Sequence, residues 1–174
     1  MGLAAVHEFA RTLPRGAWFA ACGEALTSAE EDEALAYSEA LGLPRPKVAG
    51  VTSWAEALRI IQSPDWSRAW WNAEEAAQKS LFAAARSRFG EAALLEALSA
   101  VTAAAGALDG AAARSGASPP SLALVAAGAA AQACYHAALA LAASAGPAHG
   151  FAVKYRLFAA GRWPLAIVGG THFV

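Results

Sequence analysis

The sequence predicts an all-α fold, a compact bundle of about six to eight helices around a central apolar, Ala-rich helix, with a short irregular or extended C-terminal tail. Three observations lead to this fold class. Hydrophobic residues make up 57% of the 174 residues, and much of that fraction is alanine, the best helix former. β-branched residues are few and scattered, which disfavours a sheet protein. Capping residues, glycines and prolines divide the chain into helix-sized segments.

A chain of this length fits one domain, and no linker interrupts it, so residues 1–174 are expected to form a single helical domain. Pro14 and Arg15 are predicted to separate two N-terminal helices. Three later helices begin at capping signals, two Ser-x-x-Glu capping boxes and one Ser-Pro pair. The helices predicted up to Phe89 cover residues 3–13, 15–26, 28–42, 53–62 and 63–89, with a loop over 43–52.

The second half of the chain contains the most apolar helices. Residues 91–108 place Leu94, Leu98, Val101, Ala105 and Leu108 at 4-3-4-3 spacing, which predicts a packing seam. After a small-residue loop over 110–120, a helix over 120–144 is apolar on every face, as expected for a helix surrounded by others. A shorter helix follows over 149–160, and residues 162–174 form the tail.

Charge is unevenly distributed along the chain. Residues 1–109 contain nine basic and fourteen acidic residues, a net charge of −5, whereas residues 110–174 contain four basic residues and no acidic residue. The two parts are expected to attract each other within the fold, or the C-terminal part binds an anionic ligand or acidic partner. The overall charge of −1 gives no general attraction to nucleic acid.

Several classes of protein are disfavoured. Residues 115–153 contain no charged side chain, but alanine, glycine and serine contribute little to membrane insertion, so no membrane span is expected. No signal peptide is recognisable, which predicts a cytoplasmic location. Cys22 and Cys134 have no Cys-x-x-Cys spacing and are predicted to be buried free thiols. No metal-ligand or cofactor-binding spacing occurs, so neither a metal nor a cofactor is expected.

Gln132 and His136 are the most informative polar pair. They lie four residues apart on one face of the apolar helix 120–144. Burying a polar group without a partner costs about 1–3 kcal/mol, so both side chains need partners. Either they bond to neighbouring groups in the core, or they form the polar floor of a ligand pocket with Tyr135 on an adjacent face. Any acid–base carboxylate at such a site must come from residues 1–109, for example Glu8 or Glu24.

The segment after residue 148 combines aromatic and basic residues. A helix there would align Phe151, Tyr155 and Phe158 on one face. Either this helix packs by its aromatic residues and its cations are solvated, or the segment binds an acidic partner or an anionic small molecule. The residues that would contribute to such a binding site are His149, Lys154, Arg156 and Arg162.

Two functions are consistent with these patterns. The first is a non-catalytic helical module that acts by protein–protein association, with itself or with another protein. The second is a small-molecule-binding protein or enzyme whose site lies between helices around Gln132 and His136. A well-formed pocket that converges on His136 favours the second function, and a flat Trp- or Ala-lined surface favours the first.

Overall fold

A computed structural model describes residues 2–174 and confirms the all-α fold class. Within these residues the chain forms eight α-helices and three short strands. The helices are α1 (Leu3–Thr12), α2 (Ser28–Ala40), α3 (Trp54–Ile61), α4 (Arg68–Phe89), α5 (Glu91–Ala105), α6 (Asp109–Arg114), α7 (Pro120–Ala142) and α8 (Gly150–Ala159). The strands are β1 (Lys47–Ala49), β2 (Ala166–Val168) and β3 (Thr171–Phe173).

Helix α7 is the centre of the bundle, as its uncharged sequence predicts. It contacts α1, α4, α5, α6 and α8. One of its faces buries alanines at 4-3-4-3 spacing, namely Ala126, Ala130, Ala133, Ala137 and Ala140. The seam predicted on residues 94–108 is confirmed as well, since its five side chains are all buried. The large side chains of α5 pack against the small side chains of α7, so the two helices can approach each other closely.

The C-terminal tail is extended and belongs to a sheet of order β1-β3-β2. Strand β3 lies in the middle, parallel to β1 and antiparallel to β2, and His172 pairs with both Val48 and Ile167. Gly169 and Gly170 connect β2 to β3 with φ values of 54° and 78°. Two successive positive φ values suit a two-residue hairpin, which glycine forms without steric strain. Strand β1 lies in segment 43–52, so the prediction that this segment is only a loop is wrong.

The helix predicted over residues 15–26 is absent, because this segment forms turns instead. Trp18 and Phe19 still enter the core, Phe19 with a φ of 62°. The carbonyl oxygens of Ala21, Glu24 and Ala25 accept hydrogen bonds of 2.7, 2.7 and 2.8 Å from Arg162. A buried guanidinium therefore satisfies backbone carbonyl groups of a segment that has no regular secondary structure to pair them.

Smaller differences concern helix ends. The capping box of α2 uses Thr27 and Glu30, one residue before the predicted pair. The box predicted at Ser53 is confirmed at its serine, which caps α3 by accepting from the Glu56 N–H. Helix α4 begins after Ser67 rather than at Ser63-Pro64, and residues 109–114 form α6 where a loop was predicted. The exact start of a helix depends on which hydroxyl or carboxylate group forms the capping hydrogen bond. Several residues that can cap lie within a few positions of each predicted start.

Candidate functional site

A buried polar cluster joins α2, α4 and α8. We call Tyr37, Trp70, Glu74 and Lys154 the Glu74 cluster. Lys154 Nζ lies 2.6 Å from Glu74 Oε1, and the Tyr37 hydroxyl donates to the same oxygen at 2.5 Å. The indole N–H of Trp70 donates to the Tyr37 hydroxyl. Glu74 and Lys154 are each only 7% exposed, so this ion pair is almost entirely removed from water.

The surroundings keep Glu74 charged. Burial raises the pKa of its carboxyl group, but the Lys154 ammonium and the hydrogen bonds from Lys154 and Tyr37 outweigh burial, and the pKa lies below its usual value. Burial, together with the negative charge of Glu74, raises the pKa of Tyr37 well above its usual value, so the phenol stays protonated. The Lys154 ammonium also lies over the Trp70 and Tyr37 rings, 5.3 and 5.7 Å from their centroids.

A cleft of about 220 Å³ opens beside this cluster, between α4 and α7. We call it the α4–α7 cleft. Its lining consists of an exposed tryptophan, two carboxylates, two amides and a histidine, which are Trp71, Glu74, Glu75, Gln78, Gln132 and His136. The pair that the sequence singled out, Gln132 and His136, therefore faces α4. Only His136 is buried, so the expectation that both side chains need partners in the core is wrong for Gln132, which is exposed to solvent.

His136 is 2% exposed and lines the floor of the cleft. Its ring stacks on Phe151 with centroids 4.1 Å apart, and its Nε2 lies 3.3 Å from Gln78 Oε1. The other ring nitrogen, Nδ1, is buried and has no hydrogen-bond partner among residues 2–174. Burial lowers the pKa of His136 to about 4, so the ring is neutral at neutral pH.

Tyr135 and His149 lie near His136 but do not line the cleft. The Tyr135 and His136 ring centroids are 6.2 Å apart, and Tyr135 is half-buried. His149 caps the N-terminus of α8, where its Nδ1 accepts a 3.1 Å hydrogen bond from the Phe151 N–H. Burial lowers the pKa of His149, which favours the neutral ring that this capping bond needs.

The three predicted cations of the C-terminal segment each bond to a carboxylate of the N-terminal part. Lys154 pairs with Glu74 as described, and Arg156 Nε lies 2.8 Å from Glu33 Oε1. Arg162 holds both oxygens of Glu30, at 2.7 and 2.9 Å, besides its three carbonyl partners. The attraction expected between the acidic and basic parts of the chain is thus realised within the fold.

Sequence reasoning missed the contribution of α4 to the site. The sequence suggested Glu8 or Glu24 as the carboxylate of such a site, but the carboxylates that line the cleft are Glu74 and Glu75, and Glu8 pairs with Arg11. One signal was available. Trp70, Leu81 and Ala85 define the buried face of α4, and Glu74 is a charged residue placed on that same face. Such a residue requires a buried partner, although the sequence does not say which one.

Two larger concavities lie elsewhere in the fold, and one of them also has polar residues, Arg114 and Ser115, in its lining. A groove of about 500 Å³ between α1, α7 and α8 is lined mainly by apolar side chains, and Arg156 is the one predicted site residue in its lining. A depression of about 440 Å³ surrounds Trp18 and Cys22. Size alone would select the groove, but specific binding also needs unpaired polar groups to orient a ligand. Those groups are found in the α4–α7 cleft.

The environments of the two thiols favour the protonated form. Cys134 is buried and Cys22 is half-buried, and both are free. Burial raises the pKa of Cys134 to about 12 and that of Cys22 to about 11, although the positive charge of Arg162 opposes the latter shift. Because the thiolate is the nucleophilic form, neither cysteine has the properties of a catalytic nucleophile.

A metal site and a membrane-spanning helix each place requirements on the described residues. Within residues 2–174 no group of three or more His, Cys, Asp or Glu side chains is placed to hold a metal ion. Residues Glu91–Arg114 and Pro120–Ala142 are each long and apolar enough to cross a membrane. Of their most apolar windows, 33% and 61% respectively are buried inside the fold. A buried core helix has the same length and composition, so these stretches do not establish a membrane protein.

No protein-family model, curated protein or solved structure shows significant similarity to this chain.

Proposed function

We propose that the protein binds a small molecule in the α4–α7 cleft. One observation carries the proposal, which is that two side chains lining the same cleft each have an acceptor atom without a hydrogen-bond partner in the described part of the chain. Glu74 receives both of its hydrogen bonds at Oε1, so its Oε2 has no partner among residues 2–174. His136 Nδ1 is the second acceptor without a partner. Nδ1 is fully buried, and leaving such an acceptor unpaired costs about 1–3 kcal/mol, which a hydrogen bond from a ligand would offset.

The Glu74 cluster favours binding because it makes the site rigid. Tyr37 and Lys154, from α2 and α8, both donate to one carboxylate oxygen of Glu74, and Trp70 donates to the Tyr37 hydroxyl. The free oxygen is therefore held in one place before a ligand arrives, which reduces the entropy lost on binding.

The proposal is tested by ligand-observed NMR with a library of small fragments, using the wild type and a His136→Leu variant. Leucine fills the space without the ring nitrogen, so the variant is expected to fold and to lose the fragments that contact the cleft. A Thr102→Val variant on α5 is the control and should retain them. Fragments that bind equally to all three proteins would contradict a site at His136.

A second proposal, association with itself or another protein, rests on the exposure of large apolar side chains. Leu124 and Val125 are adjacent on α7 and are 68% and 49% exposed, and Trp71 on α4 is 57% exposed. Multi-angle light scattering over a range of concentrations tests self-association, and pull-down tests other partners. Leu124→Gln combined with Val125→Thr should reduce association, whereas Leu95→Gln on α5 should not. A monomer at every concentration with no captured partner would contradict this proposal.

A further inference from the structure

The lining of the α4–α7 cleft is rich in hydrogen-bond acceptors and contains two carboxylates, each paired with a lysine outside the lining. Glu74 and Glu75 are the charged side chains in the lining, and no lysine or arginine is among the residues that form it. Lys154 lies behind Glu74 and bonds only to Oε1, and Lys79 bonds to Glu75 at 2.6 Å from the neighbouring turn of α4. The Lys79 side chain is 75% exposed, so this surface pair is weak and a ligand can replace it.

Hydrogen bonding determines which proton His136 carries. Gln78 Oε1 is a carbonyl oxygen and can only accept, so the Nε2 that faces it carries the hydrogen. The neutral ring then presents Nδ1 as a lone pair, which accepts and cannot donate. Burial lowers the pKa of His136 to about 4, which keeps the ring in this form at neutral pH. A ligand that satisfies Nδ1 must therefore bring an N–H or O–H donor.

The rim of the cleft provides an aromatic surface. Trp71 is 57% exposed, and among residues 2–174 no cation or aromatic ring is stacked on its indole. An exposed indole beside two carboxylates is a suitable environment for an organic cation, because the ring face attracts positive charge. The Glu74 cluster already shows this type of contact, since the Lys154 ammonium lies over the Trp70 ring.

We propose that the α4–α7 cleft binds a small organic cation with N–H donors, an ammonium or guanidinium group on a compact apolar body. The inference rests on the proposed function and specifies its ligand class. The charged group would lie between Glu74 Oε2 and the Glu75 carboxylate and donate to them. Because His136 Nδ1 is fully buried, a small rotation of the His136 ring would be needed to bring it to a further donor. The apolar body would lie against Trp71. At about 220 Å³ the cleft is smaller than the roughly 300–1,000 Å³ typical of drug-sized ligands, so the ligand is small.

The inference differs from the sequence-based expectation of an anionic ligand. That expectation relied on Lys154, Arg156 and Arg162, and the fold pairs each of them with a carboxylate. Two acceptor atoms without hydrogen-bond partners among residues 2–174, Glu74 Oε2 and His136 Nδ1, lie on α4 and α7 instead.

Four probes that share one phenyl body test the ligand class by isothermal titration calorimetry. They are phenethylammonium, its N,N,N-trimethyl derivative, 2-phenylethanol and 3-phenylpropionate. We expect phenethylammonium to bind most tightly. The trimethyl derivative retains the charge but has no N–H donor, so it should bind roughly tenfold more weakly. The neutral alcohol should be weaker still, and the carboxylate should not bind.

Variants then locate the binding. Glu75→Gln and Trp71→Ala should each weaken phenethylammonium binding roughly tenfold, because they remove a charge partner and the stacking surface. Glu96→Gln is the matched control, since Glu96 is an exposed carboxylate on α5 outside the cleft. Glu75 and Trp71 are both exposed, so these variants are expected to fold normally, which circular dichroism verifies.

The outcomes separate the ligand class from the proposed function. If the alcohol or the carboxylate binds as tightly as phenethylammonium and His136→Leu abolishes that binding, the cleft is a ligand site and the cationic class is wrong. If no probe binds, or if binding is unchanged in Glu75→Gln, Trp71→Ala and His136→Leu, both the ligand class and the site are wrong. Weakening in the cleft variants but not in Glu96→Gln supports both.

Discussion

At the scale of single residues, the Glu74–Lys154 pair is the most consequential contact in the molecule. Both groups are buried, and each satisfies the charge of the other. A buried pair of this kind adds little net stability compared with apolar residues, but removal of one partner leaves the other charge without compensation. The pair therefore fixes how α4 and α8 meet rather than simply stabilising them.

The first prediction follows from this asymmetry. Glu74→Gln should lower the free energy of unfolding by about 3–5 kcal/mol, because Lys154 then lies buried without a carboxylate. Adding Lys154→Met should restore most of the loss. Glu75→Gln, the exposed neighbour, should change stability by less than about 0.5 kcal/mol. Urea unfolding measures all three variants, and a double mutant as unstable as Glu74→Gln alone would contradict the explanation.

The second prediction concerns pH. His172 is 1% exposed, and its Nδ1 lies 3.3 Å from the Ala34 carbonyl oxygen, facing the Tyr37 ring and the Glu74–Lys154 pair. Burial lowers the pKa of His172 from 6.5 to about 4. Between these values the unfolded chain binds a proton that the folded chain does not, so stability is complete above pH 6.5 and falls as pH decreases towards 4.

The variant that checks this is His172→Phe, which keeps an aromatic ring beside Tyr37 and removes the titration. Its free energy of unfolding should fall less steeply than that of the wild type between pH 6.5 and about 4. His136, whose pKa is also lowered to about 4, accounts for part of the remaining slope. Equal slopes in the two proteins would show that His172 does not titrate as described.

At the scale of elements, the sequence predicts best where a helix depends on its own residues. Helices α5, α7 and α8 are recognisable from apolar spacing and from Gly and Pro at their ends. The segment 15–26 has a helical pattern too, but it forms turns whose carbonyl groups bond to Arg162, more than 130 residues away. The strands are three residues each, too short to produce an alternating pattern.

The candidate site also contains some residues that the sequence predicts and others that only the tertiary structure reveals. Gln132 and His136 are predictable because two polar residues interrupt one face of an otherwise apolar helix. Glu74, Gln78 and Trp71 are not, because their importance depends on α4 packing beside α7. A polar residue in an apolar context signals that a partner exists, whereas the identity of the partner is a property of the tertiary structure.

The third prediction concerns helix ends. Gly161 and Gly42 each stand two residues after the last residue of a helix, with φ values of 93° and 69°. At Gly42 nothing lies within 4 Å of an added Cβ, so alanine should cost about 1–2 kcal/mol from the backbone conformation alone. At Gly161 the added Cβ would lie 2.9 Å from the Ala21 backbone nitrogen, so alanine there should cost clearly more.

Thermal unfolding of Gly161→Ala and Gly42→Ala measures the difference. Both variants share the strained φ, and only Gly161 has the close approach to residues 17–21. A larger decrease in Tm for Gly161→Ala shows that the turns around Trp18 pack against the end of α8 as described. Equal decreases would mean that this segment can move away without loss.

At the scale of the whole molecule, ion pairs join the acidic part of the chain, residues 1–109, to the basic part, residues 110–174. Three of the four cations in residues 110–174 bond to carboxylates of residues 30–74. Helices α1 and α4 of the first part also contact α7 of the second. The two parts thus share one core, and neither buries its apolar surface alone.

The fourth prediction is that the molecule unfolds in a single step. Tryptophan fluorescence reports mainly on residues 1–109, which contain five of the six tryptophans. Far-UV circular dichroism reports on helices throughout the chain. In urea the two signals should give coincident midpoints, as for a two-state domain. Separate midpoints would show that residues 1–109 and 110–174 form independent units.

The position of β3 between β1 and β2 also constrains the order in which the protein is assembled during synthesis. Strand β1 leaves the ribosome early, but its hydrogen-bonding partner is more than 120 residues further along the chain. Strands β1 and β2 do not pair with each other, so neither edge is covered until Thr171–Phe173 is available. Contacts of such long sequence separation form late, because closing the intervening loop is entropically unfavourable. We therefore expect the helices to collapse first and the sheet to close last, so that a nascent chain lacking β3 exposes two unpaired strand edges to chaperones.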